Sequence, residues 1–180
     1  MIKLIDLLNE SSTKPYGYGC AMLYFDFPYI NKIHDAINPK DIYEDEEDPS
    51  FGLEDEPHCT LLYGLHEEVS TKDVTKVIEN FTFGTCKLHN ASLFENEKYD
   101  VLKFDVKGPS LHDVNDKLKS FPFTSNFPDY HPHLTIAYLK PGAGKRYTKM
   151  LENQEYELKP QYVMFSHPDG SKNKIKINIK

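Results

Sequence analysis

Two short stretches of the chain share a pattern of residue types that suits phosphate chemistry. Residues 57–63 read PHCTLLY and residues 132–138 read PHLTIAY, so Pro, His, Thr and Tyr recur at the same offsets. Each stretch is otherwise apolar and opens with proline, which is typical of a short, largely buried strand. In a strand, residues i and i+2 lie on one face, so each His is expected beside its Thr.

The four side chains in question are His58, Thr60, His133 and Thr135. Imidazole titrates near pH 6.5 (approximately), so one His can take a proton from a nucleophile while the other donates one to a leaving oxygen. Each Thr hydroxyl can donate a hydrogen bond to a phosphoryl oxygen that carries charge in the transition state. These groups fill every role in phosphodiester cleavage without a cofactor, and which His is the acid stays open.

A single His-x-Thr triplet would carry little information, because roughly half of one is expected by chance in this chain. Two copies in register, both within apolar strands, are much harder to explain in that way. The structural alternative is a pair of core strands in which each His is satisfied by a backbone carbonyl. The duplicated pattern favours a catalytic role.

At these motifs the sequence resembles the 2H phosphoesterase superfamily, which is named for two His-x-Thr/Ser motifs. Residues 16–23 (YGYGCAML) and 130–133 (YHPH) resemble, more narrowly, the phage anti-CBASS phosphodiesterases. Those enzymes degrade the cyclic oligonucleotide signals of a bacterial defence system. The resemblance implies an α+β fold in which two antiparallel sheets face a central cleft, with helices outside and one motif from each lobe.

The composition agrees with one soluble domain over residues 1–180, containing two related lobes. Hydrophobic residues make up 39% of the chain, and no run of apolar residues is long enough to cross a membrane. The N-terminus is too short and charged for a signal peptide. The three cysteines show no metal-like spacing and are expected to be reduced core residues of a cytoplasmic protein, the host cytoplasm if a phage encodes it.

The net charge of −7 argues against binding long nucleic acid, which needs many phosphate contacts. A small anionic nucleotide in one local pocket is compatible with that charge. We therefore expect a small cyclic oligonucleotide as substrate, no membrane partner and a monomer. Base preference and ring size cannot be read from the sequence.

Three residues outside the motifs are candidates for substrate binding. Tyr16 and Tyr18 lie among glycines before a predicted strand, where their rings either pack as turn aromatics or stack on a nucleobase. Arg146, the only arginine, lies in the glycine-rich basic segment 140–146. A fork of donors on a flexible loop suits phosphate, and a solvated turn is the alternative.

Two further features have competing interpretations. Segment 41–56 contains nine acidic residues and no apolar period, which predicts a mobile surface loop that points away from a phosphate site or forms a solvated lid edge. His131 forms His-Pro-His with His133 and suggests a metal pair. Zinc needs three or four ligands, so a structural or supporting role is preferred.

The remaining pattern predicts a strand at 19–27, a helix from Pro28 to about Ile37, a helix that begins at Ser70 and a helix that begins with a capping box at Ser110. It also predicts hairpins over 85–107 and 161–179. The expected function is that of a metal-independent phosphodiesterase acting on cyclic oligonucleotides. An RNA-end 2′,3′-cyclic phosphodiesterase and a sponge that binds without cleaving are the alternatives.

The absence of a cofactor requirement is directly testable. Treatment with EDTA should leave the rate of phosphodiester cleavage unchanged to within about twofold, because side chains supply the acid, the base and the donors. Loss of activity on chelation, followed by recovery on adding zinc or manganese, would instead identify His131 and His133 as metal ligands.

Overall fold

The computed structural model describes residues 17–180, so the predicted role of Tyr16 lies outside the described residues. Among these residues, no helix is long and apolar enough to cross a membrane. The strands are β1 (Gly19–Asp26), β2 (His58–Leu65), β3 (Thr82–Phe83), β4 (Cys86–Glu95), β5 (Asp100–Lys107), β6 (His133–Leu139), β7 (Tyr156–Ser166), β8 (Lys172–Lys176) and β9 (Asn178–Ile179). The helices are α1 (Ile30–Asp35), α2 (Thr71–Glu79), α3 (Leu111–Leu118) and α4 (Gly144–Met150), with a 3-10 helix at Pro39–Asp41.

Strand β7 joins the two halves of the sheet. Its residues 159–166 pair with β1, while residues 156–158 pair with β4. The strand order is therefore β2-β1-β7-β4-β5-β6, all antiparallel, with β8 added beside β7. The two ends of this path curl towards each other, so that Cα atoms of β2 and β6 come within 8 Å. The predicted α+β architecture is confirmed, with the two antiparallel sheets present as the two halves that β7 joins into one, and the motif strands lie at its two ends.

Two of the helices pack on the half of the sheet opposite to the strand that they follow in the chain. Helix α1 follows β1 but packs on β6, and α3 follows β5 but packs on β2. Helix α2 begins after Ser70 as predicted, with a capping box in which the Ser70 side chain accepts from the Asp73 N–H and the Asp73 carboxylate accepts from the Ser70 N–H. The box predicted for α3 is wrong. Ser110 has a φ of 68° and its hydroxyl donates to the Thr82 carbonyl, which turns it away from the helix end.

The acidic segment 41–56 is anchored along the open edge of β6, where the sequence predicts a mobile loop. The Tyr43 N–H donates to the Tyr138 carbonyl, and the Tyr138 N–H donates to the Gly52 carbonyl at 2.7 Å. The rings of Tyr43 and Phe51 pack with buried Tyr99 and with Tyr138. Aromatic residues among the acidic ones therefore cover a sheet edge that would otherwise expose unpaired backbone groups.

The basic segment 140–146 is only partly the loop that the sequence predicts, since its last residues begin α4. The Asp100 carboxylate accepts from the Gly142 and Gly144 N–H groups, at 2.9 and 3.2 Å, and holds the turn into the helix. Tyr147 and Leu151 are buried against the core. The helix has seven residues, too few for its apolar positions to show a period in the sequence.

Residues 121–127 are tied to the end of β2. The Thr124 N–H donates to the Gly64 carbonyl at 2.9 Å, and the His66 N–H donates to the Pro122 carbonyl at 3.0 Å. Gly64 has a φ of +104°, and a methyl group added there would overlap the Thr124 backbone carbonyl. Glycine is thus required at position 64 both by its backbone conformation and by this close approach.

Two glycine substitutions separate the cost of backbone conformation from the cost of the close approach between chain segments. Gly142 also has a positive φ, 81°, but no atom lies near the position of an added methyl group. Gly142→Ala should cost about 1 kcal/mol of unfolding free energy from backbone strain alone. Gly64→Ala should cost about 3 kcal/mol or more, because the chain at Thr124 must also move. Denaturant unfolding measures both, and equal costs would contradict the packing argument.

Candidate active site

The two motif strands present their His and Thr side chains in the same way. In β2, His58 and Thr60 are half-buried while Cys59 is fully buried. In β6, His133 and Thr135 are half-buried, and the residues between and after them are fully buried. This alternation places each His and its Thr on the cleft face of its strand, as predicted.

Each motif strand also contains a β-bulge one residue after its Thr. In the β1–β2 pairing, Ala21 pairs with Leu62 and Met22 with Thr60, so Leu61 has no counterpart. In the β5–β6 pairing, Leu102 pairs with Ala137 and Lys103 with Thr135, so Ile136 has none. Bulges bend a strand and change the direction of its side chains. The repeated sequence motif is therefore matched by a repeated backbone irregularity, which the sequence did not predict.

Buried helix side chains hydrogen-bond the backbone carbonyls at these bulges. Asn115 of α3 donates from Nδ2 to the Leu61 carbonyl at 2.6 Å, and His34 of α1 lies 2.9 Å, through Nε2, from the Ile136 carbonyl. Asn115 is 2% exposed and His34 is 8% exposed. Because a carbonyl only accepts, His34 is the donor in its pair. Each motif strand is thus fixed by a helix that follows a strand of the other half of the sheet.

The two motif histidines are oriented by matching hydrogen bonds. His58 Nδ1 lies 2.8 Å from the Glu56 carbonyl, and His133 Nδ1 lies 2.9 Å from the His131 carbonyl. A carbonyl accepts only, so Nδ1 carries the hydrogen in both rings and Nε2 is the nitrogen whose protonation can change. The carbonyl contact expected of purely structural histidines is therefore present, but it also sets the tautomer required for acid–base work.

His58 packs against a column of rings. Its imidazole stacks on Tyr24 with centroids 5.3 Å apart, and Tyr24 stacks on Tyr162 at 5.0 Å. The Lys174 ammonium lies 3.8 Å from the Tyr162 ring centroid. Burial, with smaller contributions from the nearby carboxylates of Glu56 and Glu54, raises the pKa of Tyr24, so its phenol stays neutral and serves as a packing surface.

His133 has a different neighbourhood. Its ring meets Phe94 edge to face at 5.1 Å, and the Lys103 ammonium lies 4.7 Å from the same Phe94 centroid. Lys103 is paired across the strands with Thr135, on the cleft face, and is 7% exposed. The equivalent position opposite Thr60 is occupied by Met22. One half of the cleft therefore contains a buried cation that the other half lacks.

Asp105 compensates the Lys103 charge. The Lys103 ammonium donates to Asp105 at 2.6 Å and to the Ser92 hydroxyl at 2.9 Å, and Asn90 donates to the other Asp105 oxygen at 2.5 Å. Burial alone would raise the pKa of Asp105. The hydrogen bonds from Lys103 and Asn90 and the Lys103 charge outweigh it and hold that pKa below its usual value.

A cavity of about 450 Å³ opens beside the motif strands. Thr60 and His133 line it, one from each half of the sheet, and His58 and Thr135 lie on the same strand faces as these two. Tyr130 closes one wall and donates its hydroxyl to the Thr60 carbonyl at 2.9 Å. The other lining residues are Tyr18, Leu61, Leu62, Tyr63, Phe94, Asn115, Lys119, Thr124, Ser125, Asn126, Phe127, Asp129 and His131.

The predicted binding residues have different outcomes. Tyr18 does line the cavity, where its ring stacks on His66 at 5.7 Å and meets Tyr63 edge to face at 6.2 Å. Arg146 is not brought to the cavity. It lies in α4, forms an ion pair with Asp41 and donates to the Tyr147 hydroxyl at 2.7 Å. The acidic segment thus engages the guanidinium that was expected to contact phosphate.

The remaining histidines near the site act through single contacts. His131 lines the cavity and contributes its backbone carbonyl to His133. Within residues 17–180 no group of three or more His, Cys, Asp or Glu side chains is arranged to hold a metal. His66 is half-buried, and its Nε2 and the Thr124 hydroxyl are hydrogen-bonded at 2.8 Å.

Sequence reasoning missed Lys103, Phe94, Tyr24, Asn115 and Tyr130. The alternation of the predicted strand 99–107 places Lys103 and Asp105 on one face, a signal that was available. The others depend on which strands and helices meet, and no local pattern encodes that.

Comparisons with known proteins support the fold. No model of a protein family matches the sequence, and no curated protein matches it. Among solved structures, the chain is similar to Usb1 of Kluyveromyces marxianus, with a TM-score of 0.61 and 10% identity over 91% of this chain and 99% of that one. It is also similar to a structure described as a phosphoesterase, with a TM-score of 0.47 and 15% identity over 88% of this chain and 95% of that one.

The fold is thus similar to that of Usb1, with one His-x-Thr motif at each end of the curled sheet. Identity this low establishes the architecture alone, and function has to be argued from the site.

The Lys103 charge can be tested with inorganic phosphate as the probe. Lys103→Met, which copies the residue at the equivalent position of the other half, should weaken phosphate binding about 10-fold or more in an NMR titration, because a cation in a low-dielectric site attracts anions strongly. Lys103→Arg should retain most of the affinity. Lys87→Met is the matched control, since Lys87 forms an exposed ion pair with Glu155 on the same sheet.

Removing Lys103 also leaves Asp105 uncompensated, so the double variant Lys103→Met/Asp105→Asn is needed. It should stay weakened if the cation itself attracts phosphate. Recovery of wild-type affinity in the double variant would show that Lys103 serves only to neutralise Asp105.

Proposed function

We propose that this protein is a metal-independent phosphodiesterase that hydrolyses 3′–5′ phosphodiester bonds of small cyclic oligonucleotides. The observation that carries the proposal is the matched pair of motif strands. Each has a His-x-Thr on the cleft face, a bulge after the Thr, and a His whose Nδ1 is committed to a backbone carbonyl. Two core histidines without a chemical role would not need the same tautomer and the same bulge.

The mechanism follows from these groups. Nε2 of one His removes the proton of a ribose 2′-OH, whose oxygen attacks the adjacent phosphorus. Thr60 and Thr135 donate hydrogen bonds to the non-bridging oxygens, and the Lys103 charge favours the anion near Thr135. The P–O5′ bond breaks, and the other His protonates the departing 5′-oxygen. The product is a linear oligonucleotide that ends in a 2′,3′-cyclic phosphate, which water can open in the same site.

Size, charge and lining support a small nucleotide as the substrate. A cavity of about 450 Å³ is large enough for a nucleotide, and Tyr18, Tyr63 and Phe127 offer aromatic surfaces for a base. The net charge of −7 disfavours long nucleic acid, while Lys103 supplies one local cation. Residues 16–23 and 130–133 suggest the anti-CBASS enzymes. On that basis the substrate is a host signal such as 3′,3′-cyclic GMP-AMP, and a monomer acts in the host cytoplasm.

The same four groups also suit a 2′,3′-cyclic phosphate at an RNA end, because opening that ring is the second half of the mechanism above. Offering 3′,3′-cyclic dinucleotides and RNA with a 2′,3′-cyclic end side by side distinguishes the two substrates by their specificity constants. A sponge would bind a cyclic dinucleotide and return it intact after long incubation.

The nucleophile gives the sharpest test of the proposed mechanism. Cyclic dinucleotides that lack the 2′-OH should bind in the cavity but not be cut, because the intramolecular attack is lost. Product analysis of the ribose and 2′-deoxy forms, with a binding measurement for each, decides the question. Cleavage of the deoxy form at a comparable rate would mean that water attacks the diester directly.

Single and double variants at the histidines provide the control. His58→Ala and His133→Ala should each abolish cleavage about as completely as the double variant, because groups that act as one unit are strongly non-additive. Their melting temperatures should stay close to wild type. Near-normal turnover in either single variant would contradict the two-His mechanism.

A further inference from the structure

One buried polar atom beside the cavity is not accounted for by the fold. Asn115 is 2% exposed and lines the cavity from α3. Its Nδ2 donates to the Leu61 carbonyl, and that contact fixes the orientation of the amide, since a carbonyl cannot donate. Its Oδ1 is buried and has no hydrogen-bond partner among residues 17–180. An acceptor left in this state is costly, and most buried polar groups in proteins are paired.

No donor among residues 17–180 satisfies this oxygen, which leaves a ligand or a trapped water as a candidate partner. Because the oxygen is closed to solvent in this conformation, a ligand donor reaches it only when neighbouring side chains shift. The lining of the same cavity includes the aromatic residues Tyr63, Phe127 and Tyr130. Aromatic walls together with an acceptor held in one orientation suit a flat ring that has an N–H on its edge. They do not suit an anion, because an amide oxygen repels phosphate.

The position of Asn115 relative to the phosphate groups is also suitable. Leu61, whose carbonyl holds the amide, directly follows Thr60, the predicted phosphoryl donor. The amide is therefore attached to β2 one residue beyond Thr60, and Asn115 and Thr60 line the same cavity, which can hold a base and its phosphate together.

We infer that Asn115 Oδ1 accepts a hydrogen bond from the exocyclic amine of a nucleobase and makes the cavity selective for amine-bearing bases. The inference rests on the proposed function only in taking the ligand to be a nucleotide. Asn115 is a specificity-determining residue in this account, while His58, Thr60, His133 and Thr135 act at the phosphate.

Competition between two substrates tests the inference in the wild-type protein. The probes are 3′,3′-cyclic di-AMP and the analogue in which purine riboside replaces adenosine, so that a hydrogen stands where each amine was. The kcat/KM for cyclic di-AMP should exceed that for the analogue by about 10-fold, the effect of leaving one buried acceptor unpaired. Equal values would show that Oδ1 is sealed from the ligand and would overturn the inference, leaving the proposed function standing.

A substitution assigns the effect to Asn115. Asn115→Ser should reduce the ratio of the two kcat/KM values to about 1, whatever its effect on overall stability, because the ratio compares two ligands in one protein. Asn126→Ser, an exposed asparagine in the same cavity, should retain the wild-type ratio. If Asn115→Ser does not fold, the wild-type ratio alone decides.

Failure of the proposed function gives a different result. If the wild-type protein cuts neither nucleotide, calorimetry with the same two probes replaces kinetics. Tighter binding of cyclic di-AMP than of the analogue would support the base site in a protein that is not the proposed enzyme. Binding of neither would overturn both proposals.

Discussion

The site depends on the way each half of the molecule fixes the motif strand of the other. Helix α1 follows β1 and holds β6 through His34, while α3 follows β5 and holds β2 through Asn115. Both contacts are made to the carbonyl of a bulged residue, and the Ile136 carbonyl also accepts from the Glu54 N–H at 3.0 Å. The two buried side chains therefore attach each motif strand to a helix from the other half of the sheet through a hydrogen bond shielded from water. This exchange keeps β2 and β6 side by side.

Within that repeated frame, the two histidines have different surroundings. His58 lies on the neutral rings of Tyr24 and Tyr162, whereas His133 shares Phe94 with the buried Lys103 ammonium. An acid and a base have different requirements, and a repeated backbone with unlike neighbours meets them more readily than an identical pair would. The difference in surroundings comes from Tyr24 on β1 and Lys103 on β5, the strands that pair with the motif strands, and not from the motifs themselves.

The chain is acidic overall, yet its cleft contains a cation. The acidic segment is drawn to the edge of β6 by Tyr43 and Phe51, and it pairs there with Arg146. Lys103, by contrast, is balanced by Asp105 inside the cleft. Local placement of charge, and not net charge, therefore decides whether a small anion is attracted, because charges beyond about 10 Å are screened by salt.

Much of the fold was determined by local sequence. The motif strands, the start of α2, the 86–107 hairpin and the final hairpin all follow from periodicity and turn chemistry, and the two His-x-Thr faces follow from the period of a strand. Helix α4, the anchoring of segment 41–56 and the pairing of Arg146 with Asp41 did not. They result from contacts between residues far apart in sequence, such as Gly144 with Asp100. The sequence could thus name the four groups proposed to react, because strand geometry is local. Only the tertiary structure decided which cation, which rings and which helix side chains surround them, because those neighbours are set by how the two halves of the sheet pack together.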